Sequence, residues 1–592
     1  MRPLPPLLYR SSLKRWSRIS KSGWVCANCR SYASQTPHLR RDGDAPQKPF
    51  YVTTPIFYVN AAPHVGHLYS MVLADVLKRW QQLKGNRAVL CTGTDEHGMK
   101  IQRAARLANM DPQSFCDQAA DVFKRLAASA DITNDHFVRT TDADHKETVR
   151  YVWHVLQDRG LIYRAKHEGW YSVSDETFYP ESQVHLVLEP QTGRKIMASI
   201  ETGKEVEWTS EMNYHFRLSR FRDRLLQYYD EHPDFIVPNT RMTELYKEIQ
   251  SGLSDLSISR PRSRLDWGIR VPDDQEQTIY VWLDALVNYI TKAGYPWAPG
   301  YEVTGGWPVD CHIIGKDITR FHCIYWPAFL MALGIELPSQ ILTHGHWTLG
   351  RKKMSKSEGN GVNPFFQIDR FGVDVVRFFL MHDGGIDFDP EYNNFIIIER
   401  YNDALKSVIG NQVSRVLRGK SWDTRYAVTE MDRLCQQTLT PADREQLHLL
   451  QTFPTKFQAS MDNLNVREGV TSVVQMLRQT QKYFQVCEPW SYFSAEARKR
   501  RQDSPISPED NDKVHLAIAL TLESFRLAAI TLQPVMPERA GTLLDWLNVS
   551  LERRSFAFAT LGADKEYGDR SHLVKVSPDQ KLILFPTLIT EE

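Results

Sequence analysis

Two histidines stand three residues apart around a glycine in the stretch Ala61-Ala62-Pro63-His64-Val65-Gly66-His67. At the start of a helix the first backbone N–H groups lack partners and the dipole end is positive, so a phosphate is favoured there. Two imidazoles one helical turn apart can add donors to the same oxygens. Gly66 has no side chain to block a nucleotide base. Far downstream, Lys352-Lys353-Met354-Ser355-Lys356-Ser357 gathers three lysines and two hydroxyls between a strand-like HWTLG run and a Gly-Asn turn. Taken singly, the histidines read as capping or surface residues and the lysines as a solvated loop. Taken as a pair, they can face each other across ATP, the lysines neutralising the charge that builds on pyrophosphate as the α-phosphate is attacked.

The elements that must position these groups can be read from the periodicity. From Phe50 the run FYVTTPIFYV is rich in β-formers, and after the histidines Leu68, Val72, Leu73, Val76, Leu77, Trp80 and Leu83 recur at three and four until Lys84-Gly85-Asn86 stops the helix. A short strand, Ala88 to Cys91, then runs into GTDEHG. Strand, tight turn, helix and strand open a doubly wound parallel sheet, whose ligands sit beyond the carboxyl ends of its strands. From about residue 164 to 216 short alternating strands and turns predict a small β-rich insertion, with ETGKEVEW as one strand. The sheet is predicted to resume in TIYVWLDAL, HIIGKD and ILTHGHW. Beyond Tyr401 amphipathic patterns dominate and predict an all-α helical-bundle domain, with Lys499 to Asp512 as a linker rich in charge, Pro and Ser.

Composition narrows the class. A chain of 592 residues is too long for one core, and 42% hydrophobic content marks it as folded rather than disordered. No uninterrupted apolar run reaches membrane-spanning length, so a soluble chain without a membrane partner is expected. Arg2, Arg10, Lys14, Arg15, Arg18, Lys21, Arg30, Arg40 and Arg41 precede or abut the first acid, Asp42, which predicts a mitochondrial transit peptide over residues 1–44. A plastid address and a basic nucleic-acid arm are the alternatives. Removing that segment takes away seven net positive charges and turns a formal +1 into about −6, so an RNA partner has to be gripped by local basic patches. The eight cysteines are scattered, and the one close pair, Cys26 and Cys29, falls within the leader; neither a disulfide framework nor a structural zinc is supported.

HxGH followed downstream by KMSKS is the paired pattern of class I aminoacyl-tRNA synthetases. The chain resembles the methionyl-tRNA synthetase family, in its bacterial and organellar form, from about Phe50 to the C-terminus. The match runs through TTPIFYVNAAPHVGH, CTGTDEHG, DLSISRPRSRLDWG, YVWLDALVNY, IGKDITRFH, KMSKS and NQVSR. The resemblance implies a Rossmann-like catalytic domain over 49–400, with the KMSKS region at about 340–400, and a helical anticodon-binding domain over 401–592. It implies activation of L-methionine with ATP and Mg²⁺ and transfer to tRNA(Met), by a monomer in the mitochondrial matrix. His64, His67, Lys353 and Lys356 are then the catalytic groups, and Gly66, Arg260, Asp317 and Ser355 join them around ATP. Asp95 corresponds to the carboxylate that pairs with the substrate's ammonium group. Tyr58, Trp282, Ala285, Leu286, Tyr289 and His322 correspond to the side-chain pocket, where aromatic walls suit a flexible thioether; without the resemblance, Trp282 and Tyr289 read as core packing. Asn411 and Arg415 share a helix face beside the apolar stripe Leu405, Val408, Ile409, Val413 and Val416. The resemblance assigns them, with Trp490 after Pro489, to reading the CAU anticodon, whose bases can be splayed out and stacked on an indole.

Two departures carry expectations of their own. Many relatives hold a zinc knuckle in the insertion, with a Cys-x-x-Cys pair just after a Tyr; here Ser172 and Asp175 stand in those places, so an insertion without metal is expected. Fewer than two hundred residues separate GTDEHG from YVWLDAL, too few for a separate editing domain as well as the connecting elements, so discrimination falls on the synthetic site, where one methylene is worth only about 1–3 kcal/mol. Two other readings stay open on the residues alone. A small-molecule adenylyltransferase would use the same nucleotide fold but leave the helical third superfluous. An RNA-binding protein on an inactive synthetase fold is opposed by the intact HVGH and KMSKS.

Overall fold

The computed structural model describes residues 48–173, 177–179, 181–188, 193–200, 202–298, 301–354, 361–502, 504–571, 573 and 582–588. The leader with Cys26 and Cys29, and Asp175, Ser355, Lys356 and Ser357, lie outside these residues, and of Lys353 only the backbone is described. The centre is a six-stranded sheet of β1 (Phe50–Tyr58), β2 (Ala88–Asp95), β3 (His136–Arg139), β4 (Ile236–Val237), β5 (Cys311–Gly315) and β6 (Gln340–His344). All neighbours are parallel, in the order β3-β2-β1-β5-β6-β4. Val52, Leu90 and Ile313 turn to one apolar core, Tyr51, Cys91 and Ile314 to another on the opposite face, so both faces are covered by helices. That is why these strands read as continuous apolar runs rather than alternating ones. The order reverses between β1 and β5, the switch point at which ligands of open α/β sheets sit.

Two helices set the site. α1 (Val65–Leu83) starts at His64 and buries Leu68, Val72 and Val76, while Trp80 meets Phe457 and Phe556 of the helical region edge-on. α2 (Val281–Lys292) is enclosed almost all round, with Val281 to Thr291 buried. Within β1 the pairing with β2 slips between Thr53 and Ile56, at Pro55, which has no N–H to give a ladder. Such an irregularity re-aims the residues after it, here Phe57 and Tyr58.

The insertion is antiparallel. Leu256–Ser257, Glu207–Phe216, Ile162–Ser172 and Thr177–Tyr179 form one sheet in that order, Val184–Leu188 pairs with Lys195–Ser199, and Ser259–Pro261, Asp274–Ile279 and Arg270–Val271 form a third set. Among the described residues no strand follows residue 401, and three long helices, α3 (Pro441–Asp462), α4 (Val466–Cys487) and α5 (Pro508–Leu532), dominate.

Three sequence readings need correction. ETGKEVEW is not a strand: Gly203, at φ +67°, turns the chain, and the strand begins at Glu207. TIYVWLDAL is not a sheet strand but the end of Asp274–Ile279 followed by α2; a helix buried on every side shows no amphipathic period and is hard to tell from a core strand. The linker shrinks, because Ala495–Arg500 is helical and α5 starts at Pro508. α5 is also long and apolar enough by composition to cross a membrane, and its apolar window is wholly buried inside the protein.

A buried ion pair joins sheet and helices. Arg377 Nη2 donates to Asp75 Oδ2 of α1 at 2.6 Å, while its other hydrogens reach the carbonyls of Ala130, Pro534 and Val535, just beyond α5. Burial alone would raise the Asp75 carboxyl, but Arg377, Arg79 and the Thr133 hydrogen bonds hold it below the usual carboxylate range. Arg377→Met leaves that carboxylate short of its main partner and is expected to lower stability by about 3–5 kcal/mol in urea unfolding, with part of the loss recovered in Arg377→Met/Asp75→Asn. An unchanged midpoint contradicts the lock.

Candidate active site

The histidine turn is built by its own backbone. His64 is the N-cap of α1 in extended geometry; its Nδ1 accepts the Gly66 N–H at 3.0 Å, and His67 Nδ1 accepts the His64 N–H at 3.0 Å. Each ring therefore carries its proton on Nε2 in the neutral form, and that nitrogen is the donor it can turn to an anion. The rings lie 3.9 Å apart between centroids, and His67 is held edge-on by Phe57 and Phe123 at 5.3 and 5.5 Å. A Cβ on Gly66 would come within 2.8 Å of the His64 ring, so glycine here is the condition for the cap. One turn on, Ser70 Oγ bonds His344 Nε2 at 2.8 Å, fixing α1 to the end of β6.

The lysine segment begins and ends on the same edge of the sheet. Thr348–Leu349 pairs with Lys352–Lys353 as a two-stranded ribbon, and the buried Met354 donates its N–H to the Trp347 carbonyl at 3.2 Å. At the far end, the Val65 N–H donates to the Val362 carbonyl at 3.0 Å, and a Cβ on Gly361 would lie 3.4 Å from His64 Cβ. The chain leaving the KMSKS stretch is thus seated on the first turn of α1.

Beside the turn, at the carboxyl ends of β1 and β2, Tyr58 and Asp95 are register partners. Of the next residues, Asp95 is buried and Glu96 and His97 are each fixed by a partner. Asp95 is 2% exposed and close enough to Tyr289 to contribute to the rise of its phenol pKa, which burial dominates. Glu96 is held by Arg139 at 2.6 and 2.8 Å. His97 Nδ1 meets Asp284 Oδ2 at 2.6 Å, and the other oxygen of Asp284 meets His145 Nε2 at 2.7 Å. Asp284 belongs to α2, the helix that carries Trp282, Ala285, Leu286 and Tyr289, all buried. Burial would push its carboxyl up, but the two histidines outweigh it and hold the pKa down to about 2.

Trp282 stacks on Phe321 at 3.6 Å with the planes 7° apart, and Tyr289 Oη lies 2.7 Å from His322 Nε2. His322 Nδ1 lies 3.0 Å from the Ile318 carbonyl, so this ring gives its proton to the backbone and accepts from the tyrosine. Burial lowers its pKa to about 4, which keeps the wall uncharged. Lys100 holds its ammonium 4.9 Å above the Tyr58 ring. Asp317, just past β5, bonds His346 Nε2 at 2.9 Å.

Arg260 sits elsewhere. It is 2% exposed, faces the rings of Tyr171, Phe178 and Tyr280 at 5.1, 4.9 and 4.6 Å, and donates to Ser257 Oγ and the Ser259 carbonyl. Its partners lie on the insertion and, through Tyr280, at the N-cap of α2, not at the histidine turn. Ser172 is buried at the end of its strand. Asn411 and Arg415 are exposed, and Trp490 lies at their end of the helices: it packs on Phe484 at 5.3 Å, Phe484 on Trp422 at 6.4 Å, and Trp422 donates to the Val416 carbonyl at 3.0 Å.

Sequence reasoning missed the joint of His97, Asp284 and His145, and the roles of Lys100 and Phe321. His97 and Asp284 stood inside quoted motifs, GTDEHG and YVWLDAL; nothing around His145 marked it.

Comparison with known proteins is in keeping with this geometry. The profile of the family described as tRNA synthetases class I (M) matches residues 50–417. A relative named probable methionine–tRNA ligase, mitochondrial, of Neurospora crassa is 49% identical over 568 residues, covering 93% of this chain and 89% of its own. The mitochondrial methionine–tRNA ligase of Candida albicans is 41% identical, covering 90% and 96%. The structure of Mycobacterium tuberculosis methionyl-tRNA synthetase in complex with methionyl-adenylate superposes with a TM-score of 0.80 at 37% identity, over 91% of this chain and all of that one.

Asp284→Ala leaves both histidines without their shared acceptor and is expected to cost about 3–5 kcal/mol, two hydrogen bonds to a charged group. Because the folded pKa is depressed, the contribution is complete above about pH 4, where unfolded aspartate is ionised, and is lost as pH falls toward 2. Urea unfolding of the variant and parent at pH 7 and 5 should therefore show a similar deficit that shrinks below pH 4; equal midpoints at pH 7 contradict the role.

Proposed function

Since the chain belongs to the class I tRNA synthetases of the methionine type, we propose that it converts methionine and ATP to methionyl-adenylate and passes the methionyl group to tRNA(Met) in the mitochondrial matrix. The observation that carries this reading is the bond from the Val65 N–H to the Val362 carbonyl, which seats the lysine segment's far end on the histidine turn. ATP lies with its phosphates at that turn, where the positive dipole end of α1 and the Nε2 donors of His64 and His67 face anionic oxygens, the Val65 and Gly66 N–H groups being already given to Val362 and His64. Gly66 leaves room for the base, and Asp317 stands near the ribose side of the site. Arg260 would have to leave its cage of rings to reach a phosphate, so its part is second to theirs.

Methionine lies with its ammonium group at Asp95 and its thioether among Tyr58, Trp282, Ala285, Leu286, Tyr289 and His322, a wall whose one imidazole is kept neutral by burial. Its carboxylate attacks the α-phosphate in line, and pyrophosphate departs with its charge matched by Lys353 and Lys356. Magnesium enters with the ATP phosphates. The residues contribute position and fixed charge, not a covalent intermediate. The terminal adenosine hydroxyl of the tRNA then attacks the mixed anhydride, releasing AMP. Recognition of the tRNA falls to Asn411, Arg415 and Trp490, and the basic leader of residues 1–44 directs the chain to the mitochondrion. The methionyl-adenylate held by the M. tuberculosis enzyme supports the intermediate.

ATP–pyrophosphate exchange measured across the twenty amino acids tests activity and specificity together. Exchange is expected with methionine above all others, and His67→Ala or Lys356→Ala should lower it by about 10²–10³-fold with little change in thermal midpoint. Exchange that is unaltered in both variants refutes their roles, and turnover that needs no tRNA for product release would favour an adenylyltransferase.

A further inference from the structure

Directly after Trp490 the chain makes one tight turn, Ser491–Phe493, and then the short helix Ala495–Arg500. Arg498, Lys499 and Arg500 fill the last turn of that helix and all three are exposed. Arg501 points back instead: its guanidinium donates to the Tyr492 carbonyl at 2.8 Å and clamps the helix to the turn that carries Trp490. A surface groove of about 670 Å³ lies here, lined by Phe493, Ala495, Arg498, Lys499 and Gln502. Trp490 is 36% exposed, and Val486, one turn earlier on α4, is 71% exposed.

A cationic helix end can be no more than a complement to the helix dipole. Two observations argue for more. Arg433 and Arg478 of the helical region are matched to Asp512 and Asp403, whereas among the described residues no carboxylate pair is made by Arg498, Lys499 or Arg500, three successive exposed cations. The cations also share their groove with an aromatic ring and stand beside an exposed indole, and cations interleaved with aromatic rings suit a single-stranded nucleic acid better than an acidic protein. Successive helical residues point about 100° apart, so the three side chains fan out and match a curved run of phosphates rather than one anion.

We infer that Arg498, Lys499 and Arg500 hold backbone phosphates of the RNA strand that passes Trp490, with Phe493 beside it. This deepens the tRNA reading above and rests on it: the rings and the Asn411–Arg415 face supply the base contacts, the basic helix the sequence-independent grip that a chain of net negative charge beyond its leader otherwise lacks.

The test compares the full chain with Arg498→Ala/Lys499→Ala/Arg500→Ala, measuring tRNA(Met) binding from 50 to 300 mM salt; the leader's cations contribute equally to both. The slope of log affinity against log salt should fall by about 2, since each phosphate contact contributes roughly 0.7–0.9. Affinity at 100 mM salt should drop about tenfold or more, and the KM for tRNA should rise with kcat nearly unchanged. Arg498→Lys/Arg500→Lys should keep the parent's slope. Pyrophosphate exchange without tRNA should be the same in all three, which shows that the variants fold. An unchanged slope and affinity in the triple variant overturns the inference, as does a loss of binding to anionic vesicles or an acidic peptide with tRNA binding intact. Absence of exchange in the parent enzyme would instead sink the proposed function, and the salt slope would still decide the patch.

Discussion

A parallel strand can follow its neighbour only after the chain has crossed back over the sheet, so every strand of such a sheet delivers its carboxyl end to one edge. Here that constraint gathers Tyr58 from β1, Asp95 from β2, Asp317 from just past β5 and His344 from β6, although nearly three hundred residues separate the first from the last. The order reverses between β1 and β5, and the crevice left there is where α1 presents its N-terminus. The Val65–Val362 hydrogen bond then adds the one segment that the sheet does not position, the chain leaving the lysine loop. Without that parallel edge the two halves of the proposed ATP site would have no reason to meet.

The amino-acid side of the site shows how charge is managed in a space with little water. Asp95 is the carboxylate proposed to meet the substrate's ammonium group, and its neighbours are committed elsewhere: Glu96 to Arg139, His97 to Asp284. Because Asp284 sits on α2, the strand end that carries Asp95 and the helix that carries Trp282 and Tyr289 are joined through one buried carboxylate. Breaking such a joint leaves a buried charge without partners, which is why it holds geometry more firmly than apolar packing alone. The neutral His322 and the stacked Trp282 and Phe321 keep the rest of the wall free of competing charge. At the far face of α1, Arg377 ties Asp75 of that helix to the carbonyls of Pro534 and Val535 just beyond α5, so the helix that begins at the histidine turn is anchored to the helical region.

Much of this was legible in the residues. The three-and-four spacing from Leu68 to Leu83 marked α1, and the β-formers from Phe50 marked β1, because both elements have one dominant environment. His64 and His67 were legible as a helix start, though not that each ring would cap the backbone through Nδ1. Local signals misled where the environment was uniform or the turn dominated: α2 is buried on all sides and so lost its period, and Gly203 broke a run that looked like one strand. The joint of His97, Asp284 and His145 brings together residues up to 187 apart, and no spacing rule within one segment could expose it. Arg260 carried a role by resemblance, and only the fold shows it enclosed by Tyr171, Phe178 and Tyr280.

The account turns on the histidine turn and the lysine loop acting on the same triphosphate. A double-mutant cycle on ATP–pyrophosphate exchange, with His67→Ala, Lys356→Ala and the two combined, measures that directly. Groups that stabilise one departing pyrophosphate should be coupled by about 1–3 kcal/mol, the double variant losing less than the product of the single losses. Strictly multiplicative losses, with a coupling near zero, would mean that the two segments act apart and would contradict the central claim.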